Sequence, residues 1–166
     1  MVYCATACGE AEQGESTEEL TLASTWMRGM PMKKKLKLST FQIGESPHRG
    51  QGLRIGVTRR PPRGVPKNRW VKDGYFDLWL PALAPSAGLL KRFKKHRYSD
   101  DPVVCSAFFD SYERELLATA VGRQNIDFLA QVAARTPVSI GCFCEDESRC
   151  HRSRLFMILQ RHAPPA

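Results

Sequence analysis

An apolar stretch from Val138 to Phe143 runs straight into a polar loop, and the loop into an amphipathic segment from Arg154 to Gln160. Strand, short loop, helix is the unit from which α/β folds are assembled, so this order constrains the chain more than any other feature. The loop is chemically dense. Cys142-Phe-Cys-Glu-Asp-Glu-Ser-Arg-Cys-His-Arg-Ser153 holds three of the six cysteines, three consecutive acids and two arginines. α/β proteins place ligands at such junctions, because a helix N-terminus presents backbone N–H groups without intrahelical partners.

Upstream, Leu36, Leu38, Phe41 and Ile43 roughly alternate with polar residues and predict a strand within Lys33 to Ile43. Leu53 to Thr58 predicts a second, with Leu53, Ile55 and Val57 on one face. The next segment, Arg59-Arg-Pro-Pro-Arg-Gly-Val-Pro-Lys67, cannot be regular structure, since its prolines lack N–H donors and Gly64 permits a turn. Rigid Pro-rich loops mount side chains that lose little entropy when a ligand arrives. Tyr75 to Leu80 is a short apolar run ended by Pro81.

Helices follow. Ser86 is an N-cap for one carrying Leu89, Leu90 and Phe93, and Asp101-Pro102 starts a second with Cys105, Phe108, Phe109, Tyr112, Leu116 and Leu117 at core spacing. Asn125 is expected to cap a third through Ala134, with Phe128, Leu129 and Val132 inward. The resulting expectation is one compact α/β domain over 32–166, a small, mainly parallel sheet flanked by helices, preceded by a disordered acidic tail over 1–31. Met30 and Met32 precede the first ordered-looking segment, so either is a natural start. If the strands at 53–58 and 138–143 are parallel neighbours, the arginine loop and the cysteine-histidine loop leave the sheet at one edge.

Charge and cysteine usage narrow the function. The net charge is +8, but in residues 1–31 five glutamates stand against Arg28, which gives −4 and leaves +12 for the rest. The bases gather at Arg54, Arg59, Arg60, Arg63, Lys67, Arg69 and Lys72, and again at Lys91, Arg92, Lys94, Lys95 and Arg97. Such a field favours anionic partners, while the second cluster also reads as an ordinary solvated face. No apolar run is long enough to span a bilayer and no export signal opens the chain, so a cytoplasmic protein with reduced cysteines and no membrane partner is expected.

The Arg59–Lys67 loop, the Trp79-Leu-Pro-Ala-Leu-Ala-Pro-Ser86 segment, the helix carrying Tyr112 and Glu115-Leu116, and the run from Cys144 to Ser153 together resemble the family known as domain of unknown function 488, YeaO-like, in its branch bearing Cys-His-Arg. The similarity covers about residues 33–160. It implies a compact cytoplasmic α/β domain and supplies no activity.

The residues themselves permit several chemistries. Arg59, Arg60, Arg63, Arg149 and Arg152, with N–H groups at the last helix start, suit a small phosphate or nucleotide-like anion. Glu145, Asp146 and Glu147 oppose a simple phosphate cup unless they pair with those arginines. The Cys144-to-Arg149 spacing resembles sulfurtransferase loops, but glycines are missing and adjacent acids raise a thiol's pKa. Cys150 is the better-placed nucleophile, with His151 beside it, and the two are the candidate catalytic residues. Cys142, Cys144, Cys150 and His151 contain metal-ligand types, yet Cys-x-Cys on a strand departs from the usual zinc spacing, so neither a metal nor another cofactor is expected and Cys142 reads as core. His151, Leu155 and Ile158 share one helix face, which turns the histidine toward the sheet. The alternative is a nucleic-acid-binding module using the basic 54–72 surface, with Trp70 and Tyr75 for stacking. Oligomeric state is not legible.

Overall fold

Four short strands with alternating or fully apolar character pair into one all-parallel sheet: β1 (Leu38–Gln42), β2 (Leu53–Gly56), β3 (Leu78–Trp79) and β4 (Val138–Cys142), in the order β1-β4-β2-β3. The computed structural model describes residues 33–93 and 101–166; the acidic segment 1–31, and with it Cys4 and Cys8, lies outside the described residues, as do Lys94, Lys95 and Arg97. Every residue of β4 is buried, as expected for a strand with hydrogen-bonded neighbours on both sides. Its register aligns Ile140 with Thr40 of β1 and Ile55 of β2, and Gly141 with Phe41 and Gly56.

Alternation along the strands gives the sheet two different faces. On one, Ile55, Val57, Val138 and Ile140 form the main core with Phe108, Tyr112, Leu116, Ile126, Leu129, Leu155, Ile158 and Leu159. These come from α2 (Pro102–Ala118), α3 (Ala120–Ala133) and α4 (His151–Arg161), while α1 (Ala87–Arg92) contributes Leu89. On the other face Gly56 and Gly141 leave room for the rings of Phe76 and Phe41, which lie where a Cβ would sit. Phe41, Ile43, Trp70 and Phe76 form a second cluster there, with Val65, Tyr75 and Trp79 packed against it. Trp70 meets Phe76 and Trp79 edge to face, at centroid separations of 5.2 and 5.8 Å.

Two of the helix starts expected from sequence are present. Ser86 Oγ accepts from the Leu89 N–H at 3.0 Å, and Asp101 Oδ1 accepts from the Val103 N–H at 2.8 Å ahead of Pro102. The third start is a correction. Thr119, not Asn125, caps α3, its Oγ1 accepting from the Gly122 N–H at 3.0 Å, and Asn125 donates from mid-helix to the Val121 carbonyl. The buried stripe then runs Gly122, Ile126, Leu129, Ala130, Ala133, which leaves Phe128 exposed and Val132 half-buried. Thr119→Ala is expected to cost about 1 kcal/mol of stability, the usual cap loss, whereas Asn125→Ala stays within about 0.5 kcal/mol; urea unfolding of the two variants checks the reassignment. Among the described residues no helix is long and apolar enough to cross a membrane.

Candidate functional site

Because β2 and β4 are parallel neighbours, their following loops leave the sheet side by side. The Val57 N–H still donates to the Gly141 carbonyl at 2.9 Å, so the two chains stay paired to the start of both loops. Beyond that point His151, the first residue of α4, closes the gap: its Nε2 lies 2.7 Å from the Val57 carbonyl oxygen. A carbonyl only accepts, so Nε2 carries a proton, and it is Nδ1 that presents a lone pair when the ring is neutral. That nitrogen is 3.8 Å from Cys150 Sγ. The ring also meets Tyr112 edge to face at 5.6 Å, and Tyr112 donates its hydroxyl to the Leu83 carbonyl at 2.6 Å.

The arginine loop is fixed at both ends by indoles. Trp79 Nε1 donates to the Thr58 carbonyl at 2.8 Å and Trp70 Nε1 to the Val65 carbonyl at 3.0 Å. Between these clamps Pro62 is buried while Arg59, Arg60 and Arg63 are exposed, and their side chains take no hydrogen-bond or ion-pair partner among the described residues. Trp70 itself is only 9% exposed. The stacking surface expected of it is therefore turned inward, a correction whose cause is the glycine face that draws aromatic rings onto the sheet. Arg54, counted with the basic segment, is also buried, donating to the Gly74 and Glu45 carbonyls at 2.5 and 3.3 Å with its guanidinium 4.3 Å above the Phe41 ring. Burial lowers its pKa, partly offset by Asp77 and Glu45.

The cysteine-histidine loop is organised by its own charges. Asp146 accepts from the Ser148 hydroxyl and N–H at 2.6 and 2.9 Å and pairs with Arg149 at 3.3 Å, and the Ser148 hydroxyl, ahead of Arg149, lowers its pKa. Glu147 accepts from Thr40 at 2.6 Å. Arg152 is buried and donates to three backbone carbonyls, those of Cys144 (2.5 Å), Cys142 (3.4 Å) and Glu145 (3.4 Å). Of the five arginines expected to meet an anion, Arg59, Arg60 and Arg63 are displayed on one loop, Arg149 is half-buried against Asp146, and Arg152 is occupied in holding the backbone.

The thiols converge more closely than their spacing suggests. Cys142 Sγ lies 3.7 Å from Cys144 Sγ, and the ligand atoms of Cys142, Cys150 and His151 fall within 4.8 Å of one another, all three residues buried. Contact with Cys144, opposed in part by contact with Cys150 and reinforced by burial, pushes the Cys142 thiol up to about 11. Contacts with Cys142 and Cys144, then burial, push Cys150 far upward. Burial, followed by these thiols, does the same to Tyr112. Metal-free, Cys142 and Cys150 are neutral thiols at neutral pH, and a protonated thiol is a weak nucleophile. The four cysteines among the described residues, Cys105, Cys142, Cys144 and Cys150, form no disulfide with one another.

Sequence reasoning found the loop, weighed Cys142, Cys144, Cys150 and His151 as a metal-ligand set and set it aside on its spacing, and missed Val57, Tyr112 and Trp79 as supports of the loops. Alternation placed Cys142 and Cys144 on one strand face; the signal overlooked was that the strand ends at Cys142. A family model described as the active DUF488-N3 subclade matches residues 38–163. No curated protein and no solved structure matches the chain.

Proposed function

The chain belongs to the DUF488 family, and from that premise we propose that it binds a small phosphorylated or nucleotide-like anion at the carboxyl edge of its sheet. The observation that carries this reading is the 2.7 Å contact between His151 and the Val57 carbonyl, which ties the two unusual loops together where open α/β sheets bind ligands. Arg59, Arg60 and Arg63 supply the positive charge from a loop that is rigid before ligand arrives, and an Arg fork suits the geometry of an oxyanion. Asp146 is paired with Arg149 at the rim and Glu147 accepts from Thr40, so two of the three acids are engaged within the fold. Cys150 and His151, the groups with catalytic chemistry, lie beneath that edge. The family model's description as an active subclade fits an enzyme reading. A nucleic-acid module needs aromatic platforms beside the bases; of the two expected, Trp70 is buried and Tyr75 half-buried, so the small anion is the reading favoured here.

The test is thermal unfolding with inorganic phosphate, ADP and a single-stranded oligonucleotide in parallel. A ligand at about 100 times its Kd stabilises the native state by about 2.7 kcal/mol, a shift of several degrees. Phosphate or ADP is expected to raise the melting temperature, and the triple variant Arg59→Ala, Arg60→Ala, Arg63→Ala to lose the shift while unfolding at the wild-type temperature without ligand. A shift with the oligonucleotide alone, or an undiminished shift in the triple variant, sinks the reading.

A further inference from the structure

We propose that Cys142, Cys144, Cys150 and His151 form a zinc site of the Cys3His type under the carboxyl edge of the sheet. The inference goes beyond the anion reading and does not depend on it. Zinc binds thiolate sulfur at about 2.3 Å and imidazole nitrogen at about 2.0–2.1 Å in a tetrahedron, so its ligand atoms stand about 3.8 Å (S to S) and about 3.6 Å (S to N) apart. Two edges match those lengths, Cys142 Sγ to Cys144 Sγ at 3.7 Å and Cys150 Sγ to His151 Nδ1 at 3.8 Å, and the ligand atoms of Cys142, Cys150 and His151 lie within 4.8 Å of one another, which a bound ion would draw in. Cys144 lies outside that group of three and joins the site through its 3.7 Å contact with Cys142. β4 ends at Cys142, which frees Cys144 to turn back from the loop and removes the geometric objection to Cys-x-Cys.

Two further observations point to a bound cation of this kind. The proton on His151 Nε2 is committed to the Val57 carbonyl, which is how metal-ligating histidines are oriented and leaves Nδ1 to coordinate. Arg152 supplies the other. It is 3% exposed, its hydrogen bonds run to the carbonyls of Cys142, Cys144 and Glu145, and no carboxylate among the described residues pairs with it. Burying an uncompensated guanidinium is costly. Three thiolates around one dication leave a centre with a single negative charge, which neutralises Arg152 while Arg152 fixes the backbone of two ligands. The soft, sulfur-rich donor set selects zinc over magnesium or calcium.

The full chain, reduced and stripped with a chelator, is titrated with cobalt(II) and then zinc(II). One cobalt per chain is expected, with thiolate-to-cobalt charge transfer and the strong visible bands of a tetrahedral site, both abolished by one equivalent of zinc. Cys144 is half-buried, so Cys144→Ser keeps the fold; it is expected to lower zinc affinity at least about tenfold and to remove about one third of the charge-transfer intensity, one thiolate of three. Cys150→Ser behaves likewise, while Cys105→Ser and the double variant Cys4→Ser, Cys8→Ser bind as the wild type. Substoichiometric uptake, a weak octahedral cobalt spectrum, wild-type binding by Cys144→Ser and Cys150→Ser, or loss of binding in Cys4→Ser, Cys8→Ser overturns the assignment. Phosphate binding by the arginine loop is read separately, so failure of one proposal leaves the other standing.

Discussion

Replacing Gly52 by alanine is expected to destabilise the domain by about 3 kcal/mol or more, because a backbone clash and a left-handed φ coincide there. Gly52 has φ +60°, where a Cβ costs about 1–2 kcal/mol through its own carbonyl. The added carbon would also stand 2.0 Å from the Pro137 carbonyl oxygen. Backbone cannot rotate aside as a side chain can. Relief requires the chain at Gly52 to move off Pro137, which breaks the 3.0 Å bond from the Leu53 N–H to that carbonyl and strains the pairing of β2 with β4. Gly64→Ala separates the two costs, because Gly64 has φ +72° and an added Cβ there would meet nothing within 4 Å. It should lose only the conformational part. Urea unfolding of both variants measures the difference; equal losses would mean that the contact with Pro137 is not what Gly52 is for.

Arg152→Met is expected to cost about 2–4 kcal/mol even in metal-free protein. The substitution removes a charge that is expensive to bury, which helps, but it leaves the carbonyls of Cys144 and Glu145 without their side-chain donor and that of Cys142 with only the Ile43 N–H. Each buried carbonyl left unpaired costs about 1–3 kcal/mol, so the loss outweighs the relief. Arg152→Lys should recover little, since one ammonium cannot reach three carbonyls as the planar fork does. The measurement is the urea midpoint in the presence of a chelator, with an unchanged slope showing that the folded state stays compact. A wild-type midpoint for Arg152→Met would show that the loop holds its shape without the guanidinium.

What was legible in the sequence was what depends on near neighbours. Ser86 and Asp101 cap their helices through bonds to residues three and two positions away, so the local signal sufficed. The start of α3 was not legible, because Ala118-Thr119-Ala120 continues helical composition across the break and only packing shows that the chain turns there. The strand-loop-helix unit around Cys142–Ser153 was readable from its apolar flanks, and so was the shared edge of the two loops, given parallel strands. The occupation of Arg152 was not: sequence shows a charge and not whether it faces solvent or three carbonyls. Trp70 misled for the same reason. An indole amid basic residues reads as a platform, whereas here its ring packs edge to face on Phe76, one of the two rings lying over the sheet glycines, and its N–H holds a loop end.

The place of β4 in the sheet has a consequence for how the chain reaches this state. The strand in the middle is the last to be synthesised, and β1 has no other strand to pair with. The bond between Ser39 and Ser139 joins residues 100 positions apart, and that between Ser139 and Gln51 spans 88. Contacts of such separation slow folding, because the loop must close before anything rewards it. On a ribosome adding about 5–20 residues per second, β1 and β2 wait several seconds with open edges before their partner emerges. A nascent chain arrested before Val138 should therefore be protease-sensitive and sticky, and release of a few more residues should protect it abruptly. The loop that carries Cys144, Cys150 and His151 appears only then, when the sheet that holds it is already closing.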